Sequence, residues 1–291
     1  MNKPSAVNVN LVAAPVAKKV PHVVSLHGQD VVDDYAWMRN LPVQDPDLIP
    51  HLEGENAHAI SYMADTVDLQ ETLYKEMRSR IKEADQTVPA HRGRWFYYSR
   101  TEEGKQYSIT CRRSVKEGRP EEIILDVNVL AEGSSFFQLG SVAFSPSGNF
   151  VAYTYDNKGF RQYTLVVKNL RTGKVLSSTA ERVTSVVWAS DNKTLFYTSE
   201  DAVTKRSNRL YRHKVGNKGH ELVWEEPDEF FAVHLSKTRT GAFIYLNTSS
   251  HTTASSAYIR ADKPLSKFKQ ILPQQHMVTY EVDDDGKNFY I

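Results

Sequence analysis

The spacing of apolar residues changes once along the chain. Residues 45–85 place apolar side chains every three to four positions, the period of a helix, whereas from Gln86 onward apolar and polar residues alternate as in a half-buried strand. Two alternating segments, Arg94–Arg100 and Gln106–Arg112, are joined by the polar turn TEEGK and predict a β-hairpin. Residues 1–44 follow neither period and contain several prolines, so we expect an extended arm.

Two helices are predicted between the arm and the strands. The first should open at Asp45-Pro46, an N-cap and first-turn pair, and Gly54 is expected to interrupt its middle. The second should begin with a capping box between Asp68 and Glu71. Its apolar stripe, which must pack on another surface, consists of Leu69, Leu73, Met77 and Ile81.

A pattern of turn, strand, turn and second strand recurs after residue 90. Each copy places a tyrosine at the same point, and successive aligned tyrosines are 44 to 55 residues apart: Tyr98, Tyr153, Tyr197, Tyr245 and Tyr290. This spacing is close to the ~40 to 50 residues of a four-stranded propeller blade. We therefore predict a mainly β fold, with an incomplete β-propeller of about four blades and the start of a fifth at 86–291, after an arm and helical segment at 1–85. The strand aromatics are interpreted as core between blades rather than as a stacking platform for bases or sugars.

The charge of the chain argues against two kinds of partner. A net charge of +1 over 291 residues is not that of a nucleic-acid-binding or membrane-surface protein, since such surfaces gather an excess of Lys and Arg. The pairs Arg112-Arg113 and Lys205-Arg206 are interpreted as solvated strand ends. No stretch approaches the ~20 apolar residues of a membrane span.

The single cysteine, Cys111, lies in an alternating segment and is expected to be buried or half-buried in a strand. One cysteine cannot form an intramolecular disulfide, which fits a reducing compartment. The apolar stretch Leu11–Ala17 is broken by Pro15 and is marginal for a secretion signal. We therefore expect a cytoplasmic protein.

Motifs for catalysis are missing from the printed sequence. It contains no Gly-x-Ser-x-Gly elbow, no phosphate-binding glycine loop and no His-Glu-x-x-His pair, and we assign no catalytic residue, no cofactor and no metal site. The run Asp283–Gly286 has adjacent acids where a calcium loop needs alternating ones, and is interpreted as a strand-linking turn. Surface or packing roles are expected for four histidines: His22, His27, His51 and His58. The Trp-Asp signature of WD repeats is also missing.

Several motifs resemble one peptidase family. The arm sequence HGQDVVDDYAWMR, with Asp34-Tyr35, Trp37 and Arg39, is similar to the Asp-x-Tyr-x-Trp-x-Arg motif of the prolyl oligopeptidase family of serine peptidases, and Glu55-Asn56 matches the Glu-Asn of its first helix. The hairpin EEGKQY and the segment EEPDEFFAVHLSKT resemble oligopeptidase B, the branch specific for basic residues. The resemblance runs from Pro21 to the last residue.

The resemblance implies a two-domain peptidase that hydrolyses short peptides after Lys or Arg. In that family a seven-bladed propeller covers the active site of a C-terminal α/β-hydrolase domain, which holds the catalytic triad. Seven blades need ~320 residues, so this chain is expected to be the N-terminal portion, without the hydrolase domain and inactive alone. Its implied partners are that domain, in cis or in trans, and short Lys- or Arg-containing peptides.

The alternative is a truncated or split-gene propeller that serves as a noncatalytic protein-binding module. Under either reading, open strand edges and an unburied helix stripe predict self-association of the isolated chain.

Overall fold

The computed structural model describes residues 11–39, 45–176 and 180–291. The chain divides into two compact units, Met1–Lys82 and Glu83–Ile291. The first contains a hairpin of β1 (His22–Leu26) and β2 (Gln29–Asp33), followed by a 3-10 turn at Ala36–Met38. The helices are α1 (Leu48–Tyr62) and, after a second 3-10 turn at Ala64–Thr66, α2 (Val67–Ser79).

The hairpin corrects the prediction of an extended arm, as far as residues 11–39 are concerned; residues 1–10 and 40–44 lie outside the described part. Leu26 pairs with Gln29, leaving a two-residue loop. Both loop residues, His27 and Gly28, have positive φ (52° and 78°), as a type I′ turn requires. The sequence did not predict this turn, because the usual signal for it is Asn or Gly at the first loop position and this chain has a histidine there.

Both helix starts differ from the prediction. Helix α1 begins at Leu48, with Asp47 as its N-cap residue and no side-chain cap bond, whereas the Asp45 carboxylate accepts hydrogen bonds from the Asp47 amide and the Lys18 ammonium group. The helix then continues through Gly54 without interruption. Helix α2 begins at Val67, with no side-chain cap, so the predicted capping box does not form.

The second unit is built from five successive sheets, each a meander of antiparallel strands. The first blade contains β3 (Ala90–Arg92), β4 (Trp95–Arg100), β5 (Ile109–Ser114) and β6 (Glu122–Asp126), and a short helix α3 (Val127–Leu130) follows it. The second contains β7 (Gln138–Phe144), β8 (Phe150–Asp156) and β9 (Thr164–Asn169). Its outer edge is marked by bridges from Val175 and Ala180 to β9, on either side of residues 177–179, which are not described.

The third blade contains β10 (Val183–Trp188), β11 (Thr194–Glu200), β12 (Ser207–Lys214) and β13 (His220–Glu225). The fourth contains β14 (Ala232–Lys237), β15 (Phe243–Ser249), β16 (Ala254–Arg260) and β17 (Lys269–Gln270). Strands β18 (Asp283–Asp284) and β19 (Phe289–Tyr290) begin a fifth. The predicted fold class is thus confirmed: a mainly β chain with four blades and the start of another.

The repeated tyrosines all lie on the second strand of their blades. Tyr153, Tyr197 and Tyr245 are buried, which confirms their interpretation as core. Tyr197 belongs to the cluster packed between the second and third blades, with Ala152, Leu165 and Trp188. The first blade differs, because Tyr97 rather than its neighbour Tyr98 is buried, with its ring centroid 4.1 Å from that of Phe144 of the second blade and the rings tilted by 34°.

Arg112 is buried, which corrects its interpretation as a solvated strand end. It is only 4% exposed, lies over the Trp95 ring at 3.8 Å, donates one hydrogen bond to the Gly148 carbonyl of the second blade and pairs with Glu122 at 2.7 Å. A side chain on Gly148 would come within 3.0 Å of Trp95, so glycine is required for this close approach. Arg113, the next residue, is exposed as predicted.

Candidate functional site: the linker face of the propeller

The strand order gives the propeller two faces. Residues 85–87 pair with the end of β4, so the linker from the first unit joins the propeller at the end where β4 turns into β5. Because the strands of a meander alternate in direction, the turns between second and third strands, and the connections between blades, share this end. We call it the linker face; the other end, with the turns between first and second strands, is the distal face.

Turns on the linker face are held by carboxylates at their starts. Asp156, which is 1% exposed, accepts hydrogen bonds from the backbone amides of Lys158, Gly159 and Arg161 at 2.6–3.1 Å. In the next blade Asp201 accepts from the amides of the residues two and three positions ahead of it, at 2.9 and 3.0 Å. These amide bonds lower the pKa of Asp201, with the Thr204 amide contributing most. Both turns are therefore fixed by the carboxylates at their starts, and the lowered pKa of Asp201 favours its ionised form.

Backbone strain concentrates on the same face. Among the described residues of the propeller, five non-glycine residues have positive φ, and four of them lie in linker-face loops: Arg161, Arg182, Lys205 and Met277. A side-chain-bearing residue in the left-handed region costs roughly 1 kcal/mol. Strain of this kind persists where surrounding contacts fix the loop, and it marks surfaces whose shape matters.

The fixed turns display apolar side chains to solvent. Phe160, Val203 and Phe230 are 71%, 87% and 85% exposed, each in a different loop of the linker face. Phe230 lies in the connection between the third and fourth blades, which Arg206 braces through hydrogen bonds to the carbonyls of Glu226, Asp228 and Phe231. Large apolar residues held outward on rigid loops are typical of a surface that packs against another protein domain.

Other residues considered from the sequence have structural roles. His51 packs edge-on against Trp37 at 6.0 Å, and the His58 imidazole is hydrogen-bonded to the Val12 carbonyl, so both have packing roles as expected. Asp283–Gly286 forms the turn between β18 and β19. Cys111 is fully buried on β5, as predicted, and burial raises the pKa of its thiol to about 11. Within residues 11–39, 45–176 and 180–291 no three His, Cys, Asp or Glu side chains gather as a metal site would need.

The sequence analysis assigned no site residue to the linker face. The available signal was an Asp followed two to four residues later by a bulky apolar residue in a loop, which is too weak to single out a surface. The helices of the described residues are also too short to span a membrane.

Antiparallel meanders that follow one another as four blades and the start of a fifth, in the described residues, define the class of a β-propeller domain. The chain belongs to the prolyl oligopeptidase family: residues 15–291 match the family described as prolyl oligopeptidase, N-terminal beta-propeller domain. The resemblance noted from the arm and hairpin motifs is thereby confirmed.

Similar proteins support the same assignment. The chain is 32% identical to Protease 2 of Moraxella lacunata, over 92% of this chain and 40% of that protein, and 32% identical to dipeptidyl aminopeptidase BI of Pseudoxanthomonas mexicana, over 99% and 42%. Oligopeptidase B from Leishmania major superposes with a TM-score of 0.87 at 28% identity, over 94% of this chain and 42% of that one. The chain thus spans about two fifths of the relatives that it matches.

Proposed function

We propose that these residues form the gating and size-selecting portion of an oligopeptidase B-like serine peptidase that hydrolyses short peptides after Lys or Arg. The observation that carries the proposal is the linker face, with its strained, carboxylate-held turns and exposed apolar side chains. In this proposal an α/β-hydrolase domain docks on that face and supplies the serine nucleophile, its histidine base and the oxyanion hole. The 291 residues are inactive by themselves.

The helical unit supports a second contact with the same domain. No residue of α2 is buried, and its stripe of Leu69, Leu73 and Met77, together with Ile81 two residues beyond the helix, is between 45% and 65% exposed. Full burial of a residue of this size contributes roughly 1.5–3 kcal/mol. We propose that the hydrolase domain covers this stripe as well, in the same polypeptide or as a separate one.

The test uses the complete open reading frame that contains these residues, expressed beside residues 1–291 alone. Fluorogenic peptides with Arg, Lys, Ala or Pro before the reporter group, and a longer basic peptide, are offered to both. We expect the full product to cleave the short Arg and Lys peptides and residues 1–291 to cleave none. Hydrolysis by residues 1–291, or a full product without preference for basic residues, contradicts the proposal.

A pair of variants of the full product isolates the role of the face. Phe160→Ser combined with Phe230→Ser removes two exposed apolar contacts, whereas Leu265→Ser changes a residue of similar exposure (77%) on the distal face. We expect kcat/KM for the short basic peptide to fall about tenfold or more in the first variant, because tenfold corresponds to only about 1.4 kcal/mol. Equal loss in both variants contradicts docking on the linker face.

A frame that stops at residue 291 leads to a different measurement. Affinity capture with residues 1–291 as bait then tests for a separately encoded hydrolase domain. Its recovery supports a split peptidase, and recovery only of proteins without one supports the noncatalytic binding module.

A further inference from the structure

A cleft of about 590 Å³ lies on the distal face, between the third and fourth blades. Its walls come from the turn between β10 and β11, from the end of β12 and from the turn that follows β16. A second cleft of about 370 Å³ adjoins it and shares Thr194, Lys214 and Leu265. The volume falls within the ~300–1,000 Å³ of small-molecule sites in proteins.

Three lysines line the larger cleft, one from each wall: Lys193, Lys214 and Lys263. All three are exposed. Within the part of the chain that the structure describes, the ammonium group of none of them makes an ion pair or hydrogen bond, in contrast to Lys18, whose ammonium group lies 2.8–2.9 Å from two carboxylates. An ammonium group carries three donors, so the cleft collects nine unused donors and three positive charges.

The two carboxylates in the lining are already satisfied elsewhere. Asp191 accepts hydrogen bonds from the amides of Lys193 and Thr194 and from the Thr194 hydroxyl, at 2.7–2.9 Å. Arg260 donates hydrogen bonds from Nε and Nη2 to the two carboxylate oxygens of Asp262, at 2.9 Å each. Hydrogen bonds do not remove the negative charge of Asp191, so the lining sets three lysine charges against Asp191 and against an Asp262 that Arg260 offsets, and the site keeps a net positive potential.

The frame of the cleft is rigid. The Ser190 amide donates to the Ala261 carbonyl at 2.7 Å, and Arg212 donates to the Pro264 carbonyl at 2.8 Å while paired with Glu221. Both bonds cross from the third blade to the fourth and hold the two walls at a fixed separation. Leu265 stands at the junction of the two clefts and is 77% exposed.

From this arrangement we infer a binding site for a small molecule that carries two or more linked phosphates. Three mobile ammonium groups on fixed walls can each contact a different phosphate, a task for which lysine is well suited as a compact point charge. Leu265 offers an apolar surface on which a nucleoside base can rest. The site does not depend on the proposed peptidase function.

Calorimetric titration at low salt of the full product of the reading frame that contains these residues tests the site. The probes are tripolyphosphate and ATP, and sulfate serves as a simple anion. We expect both polyphosphates to bind and sulfate to compete weakly, with Lys214→Gln and Lys263→Gln each reducing the affinity about tenfold, as expected for the loss of one charge-assisted hydrogen bond. Binding should weaken as salt is raised, because the lysines are exposed.

The controls separate a built site from general charge. Lys174→Gln removes an exposed lysine from the equivalent side of the second blade and should leave the affinity unchanged, and Lys214→Arg should retain it. If ATP binds more tightly than tripolyphosphate and Leu265→Ser removes that difference, the base of the nucleotide contacts Leu265. If the two probes bind equally well, the site recognises the phosphate chain alone. Both results support the site. The inference is overturned if neither probe binds at millimolar concentration, or if Lys174→Gln lowers the affinity as much as Lys214→Gln does.

Discussion

Replacing the buried Arg112 by methionine tests the contact that joins the first two blades. Methionine keeps the apolar stem but leaves the buried Gly148 carbonyl without its donor, a loss of roughly 1–3 kcal/mol. It also removes the guanidinium group that lies 3.8 Å over Trp95, worth roughly 1–2 kcal/mol in a desolvated site. The pair with Glu122 adds little, because that carboxylate is 45% exposed and returns to water. We expect a destabilisation of about 2–4 kcal/mol.

Thermal unfolding followed by tryptophan fluorescence measures the effect. For a domain of this size the expected loss lowers Tm by about 4–16 °C. Hydrogen exchange of β4 and β5 locates the change, since a chain of blades need not unfold in one step. Arg113→Met is the matched control: its exposed side chain lies 5.6 Å from the Phe96 ring and should change stability by less than about 0.5 kcal/mol. If Arg112→Met and Arg113→Met melt alike, the assigned contact is wrong.

Three further outcomes are expected. His220 stacks on His213 at 4.3 Å, and burial, together with the charge of His213, lowers the pKa of His220. Because the folded state then binds fewer protons than the unfolded state, the stability of the protein should fall as the pH drops below about 6.5. Between about pH 8 and pH 5, Tm should therefore fall less in His220→Gln than in the unchanged protein. Phe289→Ala removes a ring 5.0 Å from Phe243 and should make the chain after residue 282 sensitive to brief proteolysis, whereas unchanged cleavage refutes this packing. Arg161→Gly relieves a φ of 57° and should raise stability by about 0.5–1 kcal/mol in urea denaturation; a decrease counts against strain at that turn.

Local patterns were enough to predict the strands. The alternation in residues 94–112 predicts β4 and β5 within three residues, and the tyrosine repeat predicts the number of blades. Both signals come from side chains a few residues apart, or from the repetition of one unit, and neither depends on what lies beyond the blade.

Contacts between distant segments were not predictable in this way. The burial of Arg112 depends on Gly148, which lies 36 residues further along the chain, and a charged pair in an alternating segment gives no sign of it. Asp45, expected to cap helix α1, is instead three residues before its first residue and is bound by Lys18, 27 residues earlier in the chain. The linker face and the distal-face cleft lined by three lysines likewise form only where turns from different blades meet. Sequence patterns report the local geometry of single strands and helices, whereas these sites depend on how the blades pack together.

The hydrogen bonds between blades bear on how the chain acquires its fold during translation. Arg112 reaches from the first blade to the second, the Trp188 indole donates from the third to the second, and Thr240 reaches from the fourth to the Asp284 carboxylate of the fifth. Each of these bonds links nearest neighbours, so every newly synthesised blade finds its docking surface already present on the preceding one. The propeller can therefore fold blade by blade as it is synthesised, with each new blade packing against the one before it.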